Sequence, residues 1–232
     1  MISQSNALYH LIPPYEVVAK IGGKIKKSMS KRQHRVLCES FRESTIFYRR
    51  WDTGVPPEQK MDVFEAIKKR HSVRNFKADP FPDEILFHLL DSARYAPTAG
   101  NVQPWKFYII RNKEIQAKLA EAAPGQSWML TPPVIIVVCA ELAKSAASYG
   151  QRGSTLYAIQ DTAAAIENIL LCAVEKGLAC CWVGAFREEI VAQVLGLDMQ
   201  KNRPVAMIPI GYPAEEATSP VKRPLEEIVV FV

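Results

Sequence analysis

The run Val134-Ile135-Ile136-Val137-Val138-Cys139 constrains the fold more than any other segment. It is short, rich in β-branched residues and preceded by Pro132-Pro133, so it reads as a buried strand. It is far too short to cross a membrane, and no stretch of the chain reaches 18 apolar residues. On either side the apolar spacing turns helical. Asp62 precedes Val63, Phe64, Ala66 and Ile67, a short amphipathic helix with an acidic start. Pro82 leads a second helix, in which Ile85, Leu86, Leu89, Leu90 and Ala93 recur at helical spacing. Lys113 to Ala123 form a third, stopped by Pro124-Gly125, and Thr155 to Lys176 the longest, closed by Gly177. Glu188 to Leu195 form another. Further strands are predicted at Phe107–Ile110, Cys180–Val183, Val205–Ile210 and Ile228–Val232. Few strands and several helices without regular βαβ alternation argue an α+β fold. A terminal strand as apolar as Ile228–Val232 must be buried in its own sheet or in a partner's.

Charge divides the chain. Residues 1–60 hold 11 Lys and Arg against 5 Asp and Glu, whereas residues 61–232 hold 18 against 19. The overall +5 therefore belongs to a basic N-terminal extension broken by Pro13-Pro14, Gly22-Gly23 and Gly54-Val55-Pro56-Pro57. It is not the field of a nucleic-acid-binding or membrane-binding domain. Met61 opens a stretch that reads like a natural start. The five Cys form no C-x-x-C pair and no Cys/His ligand spacing, so no metal site is expected and a reducing, cytoplasmic setting is.

Three segments have the residue types for binding chemistry. In Arg70-His71-Ser72-Val73-Arg74, two guanidiniums flank a hydroxyl, which suits an anion; a solvated basic helix end would have the same composition. Ala96-Pro97-Thr98-Ala99-Gly100-Asn101-Val102-Gln103-Pro104-Trp105 is a turn of small residues. Its amides could pair with a heterocycle, or it could simply connect helix to strand. In Trp182-Val183-Gly184-Ala185-Phe186, the small residues could aim N–H groups at a ring atom. Arg223 is either a further anion contact or a surface charge. The adjacent Cys180 and Cys181 read as core residues. Dinucleotide, P-loop, zinc-protease and nucleophile-elbow templates all fail.

Taken in order, these segments resemble the nitroreductase-like FMN-dependent oxidoreductases. Gln160-Asp161-x-Ala163-Ala164-Ala165, Gly177-Leu178, Pro209-Ile210-Gly211-Tyr212-Pro213 and Arg223-Pro224-Leu225-Glu226-Glu227-Ile228 extend the match over residues 61–232. The resemblance implies a three-layer α+β sandwich with a central, mostly antiparallel sheet. It further implies an intertwined homodimer with FMN sites at the interface, each lined by both chains. Arg70, His71 and Ser72 would hold the phosphate and ribityl chain, and Arg74 would face the pyrimidine edge. Pro97, Thr98, Asn101 and Gln103 would meet the ring system, with Val183, Gly184 and Ala185 near N5 and Arg223 at the phosphate. The implied activity is two-electron ping-pong hydride transfer from NADH or NADPH to a nitroaromatic, quinone or similar small acceptor, with no side-chain general acid assigned. The segment between Ala140 and Gly153 is a candidate substrate loop. Specialised members of the superfamily dehydrogenate cyclic dipeptides, deiodinate halotyrosines or fragment the flavin. A flavin-binding sensor or partner-binding module without turnover is the reading from another class.

Overall fold

A computed structural model describes residues 61–215 and 220–232, all within the compact unit Pro57–Val232. The expected basic extension, residues 1–60, lies outside the described residues. In chain order the unit contains α1 (Val63–Lys69), α2 (Asp83–Arg94), β1 (Trp105–Ile110), α3 (Lys113–Ala122), β2 (Val134–Ala140) and α4 (Leu142–Arg152). A π-helical turn, Gly153–Tyr157, leads into α5 (Ala158–Glu175), followed by β3 (Ala179–Cys180), α6 (Glu188–Leu195) and β4 (Arg203–Gly211).

The helix starts follow local chemistry. Asp62 Oδ1 accepts from the Glu65 N–H at 2.7 Å, and Asn112 Oδ1 accepts from Glu114 and Ile115 at 2.9 and 3.1 Å. Each bond satisfies donors that an α-helix leaves orphaned in its first turn. Asp83 and Glu84, then Glu188 and Glu189, place negative charge at the positive ends of α2 and α6.

The sheet is antiparallel in the order β1-β2-β4-β3. Every residue of β2 is buried, and its alternation assigns side chains to two cores. Val134, Ile136 and Val138 pack with Leu86, Leu89 and Ala93 of α2 and with Ile166, Ile169 and Ala173 of α5. Ile135, Val137 and Cys139 pack with Leu119 of α3, Met129 and Val191 of α6. The result is the expected three-layer sandwich, since successive strand side chains face opposite sides. Each fully buried aliphatic contributes about 1.5–3 kcal/mol.

Four local expectations change. The predicted strand Cys180–Val183 is β3 plus a separate Val183–Met207 bridge. The break lies opposite Pro209, which accepts from the Cys181 N–H at 3.3 Å but has no N–H to return the bond. The longest helix begins as an α-helix only at Ala158, because Gly153 approaches the Ser145 carbonyl too closely for any side chain and the turn there widens. The candidate loop after Ala140 is helical: Leu142, Ala143, Lys144, Ala146 and Ala147 favour α4, which kinks at Gly150 (φ +56°). Ile228–Val232 form no strand. Their side chains are exposed, Val230 at 81% and Phe231 at 95%, since no edge of this chain's sheet pairs with them among the described residues.

Candidate functional site

Where α1 ends, the chain turns extended and runs beside the sheet edge. Ser72 forms a parallel bridge with Cys180, and the Val73 N–H donates to the Cys180 carbonyl at 3.1 Å. Val73 is buried with Phe76 and Ala179. Strand periodicity therefore puts Arg70, Ser72 and Arg74 together on the other face. Burial pushes the Cys181 thiol pKa up, while a Ser72 hydrogen bond, then the charges of Arg74 and Arg70, pull it down. Three of the sequence-predicted anion donors thus share one face of this segment. Arg70 also faces Glu167 of α5, Nε to Oε1 3.5 Å. His71 Nδ1 lies 2.7 Å from the Lys69 carbonyl, which can only accept, so Nδ1 carries the proton.

The same edge leads to the second small-residue turn. Val183 is buried and exchanges both backbone hydrogen bonds with Met207, at 2.9 and 3.0 Å, so its own N–H is committed to the sheet. Gly184 and Ala185 follow it into solvent. A β-carbon on Gly184 would meet only Trp182 Nε1, at 3.9 Å, which leaves open space over the backbone for a flat ligand.

The Pro97–Gln103 turn lies elsewhere. It precedes Trp105, which aligns with Ala140 and Arg203, whereas Cys180 aligns with Ile210 and Val134. The turn therefore sits at the opposite edge and opposite end of the sheet from Ser72. Three strand spacings, ~14 Å, separate the two edges. Within the turn, Thr98 Oγ1 accepts from the Gln103 N–H at 3.2 Å and Asn101 Oδ1 accepts from Gln103 Nε2 at 3.0 Å. Asn101 and Gln103 hold positive φ, +55° and +51°. Arg223 sits in the exposed tail, bonded through Nε to Glu227 at 3.0 Å. One chain thus places Arg70, Ser72 and Arg74 on one face of the segment beside β3, leaves the Gly184–Ala185 backbone open, and holds the Pro97–Gln103 turn apart.

The structure adds residues that composition did not single out. Asp161, in the first turn of α5, is buried and accepts from the Ala99 N–H at 3.1 Å; burial raises its pKa. The available signal was a carboxylate on the apolar face of an alanine-rich helix, which demands a partner. The fold also brings ligand atoms of His88, Cys172 and Glu175 within 4.8 Å of one another across α2 and α5, a group that sequence spacing does not announce. A cation already serves that carboxylate, Lys176 Nζ at 2.9 Å.

The donor set fits a phosphate-bearing planar heterocycle. Guanidiniums and a hydroxyl suit the anion, open backbone suits the ring, and amides suit a polar ring edge.

Known proteins share this fold. A relative from Methanothermobacter thermautotrophicus, whose name pairs NADH dehydrogenase with NAD(P)H nitroreductase, is 35% identical over 67% of this chain and 80% of its own. A nitroreductase family protein from Clostridium difficile 630 superposes with a TM-score of 0.65 at 33% identity, covering 74% of this chain and 98% of that one. A protein from Exiguobacterium sibiricum 255-15, solved in complex with FMN, shares the fold (TM-score 0.67, 21% identity, 74% and 98% covered). The model of the Nitroreductase family matches residues 67–126 and 123–212, spanning both the anion-donor edge and the amide turn, and the chain belongs to that family.

Proposed function

We propose that the protein is an FMN-dependent oxidoreductase passing hydride from NADH or NADPH to a nitroaromatic, quinone or similar small acceptor by two-electron ping-pong chemistry. Its family and the dehydrogenase and nitroreductase names of its relative support oxidoreductase chemistry. The FMN complex of the Exiguobacterium protein supports the cofactor. The observation that carries the reading is the placement of Arg70, Ser72 and Arg74 on one face of the extended segment beside Cys180, with open space over the Gly184 backbone.

In this reading residues 61–232 form the FMN-binding domain and residues 1–60 a basic extension. Arg70, His71 and Ser72 bind the phosphate and ribityl chain, and Arg74 places positive charge at the pyrimidine edge. Gly184 and Ala185 offer N–H groups at N5, following the sheet-bonded Val183. Bound there, FMN supplies the hydride chemistry, while the protein supplies orientation and electrostatics. Pro97, Thr98, Asn101 and Gln103 complete the ring contacts from a second copy of the chain. Their position at the opposite edge of the sheet supports a homodimer whose sites are lined by both chains. Arg223, on the exposed tail, is assigned to the phosphate. No helix among the described residues is long and apolar enough to cross a membrane. Cys139, Cys172, Cys180 and Cys181 are free thiols, which supports a cytoplasmic setting.

The test is an absorbance spectrum of the purified protein followed by anaerobic reduction with each nicotinamide. Flavin bands bleached by NADH or NADPH and restored by a nitroaromatic or quinone are expected. Bound FMN that neither nicotinamide reduces would favour a flavin-binding sensor, and protein that takes up no FMN would refute the cofactor assignment.

A further inference from the structure

The amide turn is held in a conformation that its own sequence disfavours. Gly100, Asn101 and Gln103 all have positive φ, and two of the three carry side chains. Residues held there persist only where the surroundings over-determine them. Several of the restraining bonds are internal: Asn101 N–H to the Thr98 carbonyl at 3.1 Å, Val102 N–H to the Ala99 carbonyl at 3.2 Å, and the Thr98–Gln103 and Asn101–Gln103 bonds. Internal bonds shape a turn but do not fix it to the body of the protein.

Two bonds from outside the turn do fix it. Lys144 Nζ donates to the Gln103 carbonyl at 3.1 Å from an exposed position. The Ala99 N–H donates to Asp161 Oδ1 at 3.1 Å across 62 residues of sequence, and Asp161 is 6% exposed. Its second oxygen, Oδ2, is buried with no hydrogen-bond partner. A buried carboxyl satisfied at one oxygen is a poor way to stabilise a helix, because desolvation of the other goes uncompensated. What this carboxyl does supply is an anchor for Ala99 within the strained turn, from the first turn of the 18-residue helix α5.

We propose that Asp161 is a positioning residue for ring recognition: through the Ala99 N–H it fixes the turn so that the Asn101 and Gln103 amides meet the flavin ring in one geometry. This rests on the FMN reading above. It predicts that the acceptor oxygen matters and the negative charge does not. Asparagine keeps an acceptor at the Oδ1 position and is neutral; alanine removes it. The donor can be removed independently by Ala99→Pro, which lacks the N–H. Thr98 is already extended (φ −135°, ψ 152°), the conformation that a residue before proline adopts.

The experiment uses the full chain and FMN itself, comparing wild type with D161N, D161A, A99P and the D161A/A99P double variant. The readouts are the FMN dissociation constant from fluorescence quenching, the visible circular dichroism of bound flavin, and the melting temperature of the apoprotein. D161N is expected to bind FMN within about threefold of wild type with the same dichroic band. D161A and A99P should each bind about tenfold more weakly with an altered band, and the double variant no more weakly than either alone, as two ends of one bond. If D161A does not fold, A99P against D161N carries the comparison. The proposal is overturned if A99P or D161A retains wild-type affinity and dichroism and only lowers the apoprotein melting temperature. It is likewise overturned if D161N is as impaired as D161A, or if the double variant loses the sum of both effects. Wild-type protein that takes up no FMN overturns the cofactor reading itself, an outcome distinct from all of these.

Discussion

The Tyr149 hydroxyl lies over Gly100, where a β-carbon would come closer to it than real β-carbons come to any neighbour. Helix α4 thus closes on the amide turn at a position that only glycine fills without a clash, with Lys144 of the same helix bonded to the Gln103 carbonyl. Gly100→Ala should destabilise the protein by about 1–2 kcal/mol, from positive φ and from displacing the ring. Adding Tyr149→Ala should recover the steric part but not the conformational part. Urea unfolding of the two single variants and the double variant measures the split.

Arg70 is shared between Glu167 and the proposed phosphate site. Arg70→Ala and Ser72→Ala should each weaken FMN retention by about tenfold, the scale of one charge-assisted hydrogen bond. Glu167→Gln should tighten it, because the carboxylate competes for the guanidinium. FMN content after dialysis and fluorescence titration check both directions; unchanged affinity in R70A and S72A would discredit the assigned contacts.

Burial pushes the thiols of Cys139 and Cys180 up to about 12. The thiolate is the reactive form, so native protein treated with iodoacetamide at pH 8 should leave both residues unmodified. Alkylation should follow only after denaturation, read by peptide mass spectrometry.

Asp161 has a raised pKa in the folded state, so the folded protein binds its proton more tightly than the unfolded chain does. The stability of wild type relative to D161N should therefore fall as pH rises from the unfolded carboxylate value, about 3.9, through the folded one. Below both values the two proteins should have similar pH slopes. Denaturant unfolding between pH 3.5 and 7 supplies the curve, and a wild-type advantage that grows with pH would contradict the sign.

Deleting Ile228–Val232 should halve the mass seen by light scattering while leaving the far-ultraviolet dichroism of the body intact. Those side chains are exposed on the single chain, so its own core does not depend on them. A stable truncated dimer would contradict a role for this apolar tail in holding the two chains together.

The sequence announces most of this fold. The β-branched run of β2 and the helical spacing of Leu86, Leu89 and Ala93 each point to one element, because burial on a regular lattice leaves a periodic trace. Gly177, predicted as a helix stop, has φ +71° just beyond α5. The break opposite Pro209 was visible only as a proline; its effect required knowing which strand lay across from it. The anion donors were legible as a local cluster, since Arg70 to Arg74 share one extended segment. Asp161 was legible only as one residue of a motif on an alanine-rich helix; its bond to Ala99 and the separation of the two candidate binding segments were not. Both are set by which strand edge each loop reaches, and local pattern carries no signal for that.

At the β3 edge, a two-residue strand is covered by the same short segment that carries Arg70, Ser72 and Arg74. An uncovered strand edge is a template for pairing with other chains. A ligand that clamps this segment therefore also closes the sheet, so cofactor supply and colloidal stability become one variable: protein made faster than its cofactor should aggregate through this edge, and added flavin should act as a folding aid before it ever carries electrons.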